Sequence, residues 1–362
     1  RHKRCAMTTQ SSPKIAVIGA GITGVTTAYM LARKGAQVTL FEANPYPAME
    51  TSYANGGQLS ASNAEVWNSV PTVLKGMKWM FKSGAPLLLN PKPSWHKYSW
   101  LAEFVGAIPK YRENTIQTVK WALEARAHLR TIAEDEGIDF DREERGILHF
   151  YGSKGEFDTA AKVTTLLAEG GLERHAVTPA EIEQIEPALK GDIYGGFFTE
   201  SDFTGDIHKF TSALAKGCAK RGVTLRMSTF VTKVDAAQGK IAISSQPAQG
   251  KHEKKGGVLT EIYDKVVICS GVKSRSFAAH LGDRLNIYPV KGYSLTINLE
   301  DEAAQTAAPT VSLLDDNAKI VTSRLGKSRF RVAGTAEFNG YNKDIVWHRV
   351  APMLDWCHTH FP

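Results

Sequence analysis

An apolar run that ends in spaced glycines gives the clearest pattern in the chain. Lys14-Ile15-Ala16-Val17-Ile18 leads into Gly19-Ala20-Gly21-Ile22-Thr23-Gly24, and the helical pattern that follows stops at Gly35. A second apolar run over 37–41 then delivers Glu42. Strand, turn, helix and strand thus succeed one another as a βαβ unit. Helical periodicity recurs over 118–136, which ends at Gly137, and over 157–169, 179–185, 206–220 and 346–360. Asp206 puts an acidic residue at the start of the fourth of these. Strand-like segments lie at 146–151, 224–227, 230–234, 240–244 and 258–263. Residues 265–268 form a further apolar run into a small-residue turn, Cys269-Ser270-Gly271, which predicts a parallel strand beside the first two. From residue 287 the period falls to two over 288–299, 310–314, 319–322 and 329–333, as in an antiparallel sheet.

Residues 70–89 mix lysines with large apolar side chains (Leu74, Lys75, Met77, Lys78, Trp79, Met80, Phe81, Lys82), predicting an amphipathic helix followed by an exposed apolar turn at 85–89. Such a stretch suits either a membrane surface or packing on its own domain. No run reaches the roughly 18 apolar residues that span a bilayer. At 43% hydrophobic and 22% charged, the 362 residues describe a globular protein with core enough for two or three domains. The net charge of +7 is spread along the chain, and its densest cluster, 251–255, reads as a solvated hairpin tip. Nucleic-acid binding is therefore not expected. Cys5, Cys218, Cys269 and Cys357 lack zinc or disulfide spacing, which predicts a reducing compartment and no metal. A covalent cofactor link through one of them stays open. Arg1 to Ala6, ahead of Met7, is basic without an apolar core and does not read as a secretory signal. The stop at Pro362, directly after a helical pattern, reads as the end of a fragment.

Each part of the βαβ unit meets a demand of a dinucleotide. Gly19 allows the tight turn, Gly21 lets backbone approach a pyrophosphate, and Gly24 lets the helix pack closely on the sheet. Glu42 can accept hydrogen bonds from ribose hydroxyls, and the helix start offers free N–H groups to phosphate. Ile18, Ala20, Ile22, Thr23, Phe41 and Ala43 complete the predicted contact set. These residues alone suit FAD and NAD equally. Downstream, Ser52 to Leu59 is rich in small residues. Gly56 and Gly57 would let backbone approach a planar ring, with Asn55 and Gln58 offering amide donors; an ordinary Asn-Gly-Gly turn is the alternative. Ser270 and Gly271, at a strand end, are expected near the pyrophosphate or ribose.

The loop Glu50-Thr51-Ser52-Tyr53-Ala54-Asn55-Gly56-Gly57-Gln58-Leu59-Ser60, the stretch Lys78-Trp79-Met80-Phe81, Thr204-Gly205-Asp206 and Tyr288-Pro289-Val290-Lys291-Gly292-Tyr293-Ser294-Leu295-Thr296 together resemble the bacterial D-amino-acid dehydrogenases. These are flavoproteins of the D-amino-acid oxidase superfamily, and the similarity continues through Lys319–Arg324 and Arg331–Glu337 to the end of the chain. The resemblance implies FAD rather than NAD, a D-amino-acid substrate, and electrons passed to a quinone-type respiratory acceptor. It implies a mixed α/β fold in which a Rossmann-like FAD domain (14–61 plus 205–287, completed by 343–362 and residues beyond) interleaves with a substrate domain. The latter, 62–204 plus 288–342, would hold a mixed, largely antiparallel sheet with helices. It also implies a cytoplasmic location, with peripheral contact on the inner face of the membrane as a second reading. Members continue into a Gly-Leu-Arg-Pro segment and a glycine-rich stretch that contact the flavin. This sequence holds neither, so the flavin half of the site is only partly encoded.

Family placement makes Val231 an adenine contact through its backbone. It makes Arg324 the arginine whose guanidinium fork binds the substrate carboxylate, a surface or ion-pair arginine being the alternative, with Arg331 in reserve. Tyr293 would bond the carboxylate or close the pocket, with core packing of a strand aromatic as the alternative. No side chain presents itself as a general base; His149 and His208 read as structural. Other classes fit the same residues: an oxidase of glycine or sarcosine, a D-hydroxyproline dehydrogenase, an opine oxidase subunit, a nicotinamide enzyme, or a non-catalytic remnant.

Overall fold

The computed structural model describes residues 12–79, 85–248 and 257–362. The basic opening, Met80 to Lys82 and the lysine cluster at 251–255 lie outside the described residues. In chain order, β1 (Lys14–Ile18), α1 (Ile22–Arg33), β2 (Gln37–Phe41) and β3 (Gln58–Leu59) come first. Next are α2 (Val70–Trp79), β4 (Leu87–Leu89), α3 (Trp95–Gly106), α4 (Tyr111–Glu136), β5 (Ile147–Tyr151), α5 (Lys154–Glu169) and β6 (His175–Val177). Then follow α6 (Pro179–Ile185), β7 (Gly195–Thr199), β8 (Phe203–Thr204), α7 (Ile207–Lys220), β9 (Thr224–Arg226), β10 (Thr229–Ala237), β11 (Lys240–Pro247) and β12 (Leu259–Tyr263). The last are β13 (Lys265–Ile268), α8 (Ser274–His280), β14 (Lys291–Asn298), α9 (Glu302–Ala307), β15 (Ser312–Asp315), β16 (Ile320–Leu325), β17 (Arg329–Phe338) and α10 (Trp347–His360).

Two compact units divide the chain: Arg1–Tyr53 with His208–Leu285, and Ala54–Ile207 with Asn286–Pro362. In the first unit, β13, β1, β2 and β9 form a parallel sheet in that order. A parallel neighbour requires a crossover, and α1 supplies the one between β1 and β2. The β10–β11–β12 meander closes the core, where Ile18, Phe41, Val231 and Tyr263 pack together.

The second unit is built on a large mixed sheet running β14, β17, β16, β15, β5, β7, β6, with β4 added parallel to the end of β17. Its β14 residues Tyr293, Leu295 and Ile297 point to one face, where α10 adds Val350, Met353 and Trp356 to the core. That packing puts 343–362 in the second unit rather than with the FAD domain, correcting the expected boundary. Residues 54–61 and 205–207 join the same unit, because β3 pairs with β8 and Gly205 N–H donates to Gly57 O at 2.9 Å. Leu87 to Leu89 form a ladder with β17 instead of an exposed turn: three consecutive leucines are better placed on a sheet edge than in water. The helix α3 is not expected from the sequence; its part-buried Trp100 stacks on Phe104 and packs against Tyr288 and Phe338.

Candidate active site

The first unit contains a glycine cradle whose geometry excludes side chains at Gly19 and Gly24. Gly19 has φ +102°, and a Cβ there would stand 2.5 Å from Cys269 O. A Cβ on Gly24 would stand 1.7 Å from Gly19 O, so α1 starts in backbone contact with the turn before it. Gly19 N–H donates to Phe41 O and Cys269 N–H to Ile18 O, both at 2.8 Å, which ties the turn to both flanking strands. Ile18 and Phe41 are core residues at these strand ends; Thr23 lies exposed in the first turn of α1.

Glu42 closes the cradle. Its Oε2 accepts from Ala20 N–H and its Oε1 from the N–H and side-chain amide of Asn44, each at 2.8 Å. Ala43 lies between them, so the carboxylate is held at the mouth of the turn. At the start of α1 the N-cap is Gly21, which has no side chain, and the first turn carries no acidic residue. Ser52 Oγ accepts from Ile22 N–H at 3.0 Å. The helix dipole at this end is therefore not neutralised by any carboxylate of its first turn. Across the cradle, Gly271 has φ +56° with open space beside it, and Ser270 Oγ lies 3.2 Å from Ser274 Oγ. Val231 sends its side chain into the core, and the β10–β11 ladder slips directly after it.

In the second unit, a polar row on the large sheet carries the segment from Ala54 to Gln58. The β-ladders align Thr296, Arg331 and Ser323, and next to them Ser294, Ala333 and Val321. Ser294 Oγ donates to Ala54 O at 2.9 Å, Arg331 Nη1 to Asn55 O at 3.4 Å, and Ser323 Oγ to Gly56 O at 2.5 Å. Arg331 Nε donates to Thr296 Oγ1 at 3.2 Å. Gly56 admits no side chain, since a Cβ would lie 2.8 Å from Val321 Cγ2. The amides expected to face a ring hold the loop instead: Asn55 Oδ1 accepts from Gly57 N–H, and Gln58 Nε2 donates to Ser312 Oγ and Leu313 O. The carbonyls of residues 54–57 and the Gly57 N–H are likewise taken up within the unit, and Leu59 follows in β3.

The same registers set Arg324 on the opposite face, in a row with Phe330 and Ile297. There its guanidinium is consumed by four carbonyls: Nε donates to Gly326 O, Nη1 to Ala308 O, and Nη2 to Gln305 O and Lys327 O, at 2.8–3.1 Å. Burial lowers its pKa from the usual arginine value, with Glu143 and Glu186 opposing. Tyr293 lies on that face too, its hydroxyl 3.0 Å from Glu337 Oε1 within a buried group that includes Lys291 and Arg349. Both expected catalytic side chains are thus structural in their contacts. We predict that Arg324→Met lowers stability by about 2–4 kcal/mol, the cost of stranding buried acceptors. Chemical denaturation would measure this, with the substrate Michaelis constant unchanged.

A model of the FAD dependent oxidoreductase family matches residues 14–362. D-amino acid dehydrogenase 3 of Mesorhizobium japonicum is 57% identical over 350 residues, 97% of this chain and 83% of that protein. The D-amino acid dehydrogenase of Dechloromonas aromatica is 38% identical over 355 residues, 96% of this chain and 82% of that one. The chain belongs to the D-amino acid dehydrogenases of the FAD dependent oxidoreductase family. Among solved structures, glycine oxidase from Geobacillus kaustophilus matches with TM-score 0.70 at 19% identity, covering 97% of this chain and 79% of that one. FAD-bound L-alpha-glycerophosphate oxidase from Mycoplasma pneumoniae matches with TM-score 0.68 at 16% identity, covering 97% and 79%. Both show the shared fold.

The cofactor of the family is FAD, and the residues of the first unit suit its adenosine diphosphate half: a turn closed to a Cβ at Gly19 and Gly24, a helix start without acid, and a carboxylate at the end of β2. Sequence reasoning missed the polar row Ser294, Thr296 and Ser323, although the alternation in Tyr-Ser-Leu-Thr-Ile marks 294 and 296 as the polar side. It also missed Asp202, which accepts from Ala61 and Ser62 N–H just after the loop, and Arg126, which pairs with it.

Proposed function

We propose that this dehydrogenase oxidises D-amino acids to imines, which water converts to 2-oxo acids and ammonia, and that it passes the electrons to a quinone-type acceptor. What carries the reading is the 57% identity to a D-amino acid dehydrogenase over 97% of the chain. Bound FAD supplies the two-electron oxidant that takes hydride from the substrate α-carbon. The glycine cradle and Glu42 would hold its adenosine diphosphate, and the small-residue segment Asn55 to Gln58 its ring. Orientation of the substrate falls to Arg331, the arginine on the loop-bearing face, whose planar fork matches a carboxylate. A second contribution of the chain is exclusion of water around Arg331, which is buried beside the buried Ser323.

Among the described residues no helix is long and apolar enough to cross a membrane. Peripheral contact is supported by α2, which buries none of its residues and exposes Val70, Leu74 and Met77 along one stripe beside Lys75 and Lys78.

An anaerobic screen of flavin bleaching by D- and L-amino acids tests the reading. Bleaching by D-amino acids, followed by reoxidation by a quinone analogue far faster than by oxygen, is expected. No bleaching by any D-amino acid would sink it, and stoichiometric peroxide would make the protein an oxidase.

A further inference from the structure

We propose that the buried Arg126–Asp202 pair is the positioning device of the flavin-facing segment, acting through the backbone N–H groups of Ala61 and Ser62. This rests on the reading that Asn55 to Gln58 meets the flavin ring. Asp202 has no exposed surface. Its Oδ1 accepts from Ala61 N–H at 2.9 Å and from Arg126 Nη1, and its Oδ2 accepts from Ser62 N–H at 3.1 Å. Arg126 reaches it from α4, with Nη2 donating to Ser201 Oγ at 3.2 Å. A buried ion pair is weak evidence for stability, because desolvation offsets most of the attraction. A carboxylate that spends both oxygens on consecutive N–H groups of one segment fixes where that segment runs.

The grip continues on either side of it. Ser62 Oγ lies 3.0 Å from His149 Nε2 on β5 and 2.9 Å from Ser60 Oγ. Burial, with Arg174 and Lys319 adding to it, pushes the His149 pKa well below the usual imidazole value, so this contact is made by a neutral ring. Upstream, β3 pairs with β8 and Gly57 O accepts from Gly205 N–H. Residues 57–62 are thus anchored at nearly every step, and among the described residues only Asp202 does so with a full charge.

The test is Asp202→Asn in the flavin-loaded protein. The side chain keeps its shape but can accept at only one oxygen, leaving at least one segment N–H without its acceptor and Arg126 without its counter-charge. We expect kcat to fall roughly 10- to 100-fold, the scale of small misplacements remote from the chemistry. The flavin absorption band and its midpoint potential should shift, with the Michaelis constant changed by less than about threefold, because Arg331 is held by other strands. Ser201→Ala, which touches the pair only on the far side of Arg126, should leave all four unchanged, and Arg126→Lys should retain more kcat than Arg126→Gln. A folded Asp202→Asn with unchanged kcat, spectrum and potential would overturn the proposal. Should that variant not fold, an unchanged spectrum and potential in Arg126→Gln would do the same. If the wild type is not bleached by D-amino acids, the functional reading fails separately, and potentials titrated with dithionite still decide the positioning.

Discussion

Gly24→Ala is expected to yield protein without bound flavin. The new Cβ would be built 1.7 Å from Gly19 O, a backbone atom that cannot swing aside. Relief requires α1 to back away from the β1 turn or the turn itself to deform, and either displaces the N–H groups proposed to hold the pyrophosphate. Overpacking of this kind costs on the order of 1–3 kcal/mol and more where backbone must move. Loss of the ligand then removes its mass-action stabilisation as well. Absorbance at purification and thermal unfolding with and without added FAD would show both effects. Gly35→Asn is the matched control: φ is +84°, nothing lies within 4 Å, and Asn tolerates the left-handed region, so a cost below about 1 kcal/mol and full flavin content are expected. A yellow Gly24→Ala protein whose melting temperature rises with FAD would remove the cradle from the cofactor site.

The contrast between those two glycines also shows what could be read from the chain. The β1–α1–β2 unit is local: Gly19, Gly24 and Glu42 lie within 24 residues, and each is set by the turn or strand beside it. The strands of the second unit were legible through their alternation, as in Tyr293, Leu295 and Ile297 against Ser294 and Thr296. The role of Arg324 was not, because Ile-Val-Thr-Ser-Arg-Leu in β16 mixes polar and apolar residues on both faces and leaves its orientation undetermined. Only the ladder, which sets Arg324 opposite Phe330 and Ser323 opposite Arg331, assigns the faces. Likewise Arg126 and Asp202 are 76 residues apart, on a helix and in a turn, and no local pattern announces that they meet. The placement of 343–362 turned on which sheet α10 covers, a tertiary choice that its own amphipathic period cannot express.

That face assignment yields the second large effect. Arg331→Lys is expected to raise the Michaelis constant for a D-amino acid roughly 10- to 100-fold while leaving the flavin in place, since a point charge replaces a bidentate fork. Arg331 is 6% exposed and its neighbours in the row, Thr296 and Ser323, are polar. A carboxylate arriving there would meet a cation already desolvated, where charge-assisted bonds are strongest. The substitution also tests whether the arginine serves the loop alone. If its sole task were to hold Asn55 O, Lys could still donate there, and kcat and flavin spectrum would change more than the Michaelis constant. Steady-state kinetics with an artificial electron acceptor, beside Arg324→Lys with an expected unchanged constant, separates the two. The opposite pattern, an Arg324 variant with weakened substrate binding and an Arg331 variant without, would require the substrate to approach the face that α10 covers, where Phe330, Val332 and Trp356 already fill the space.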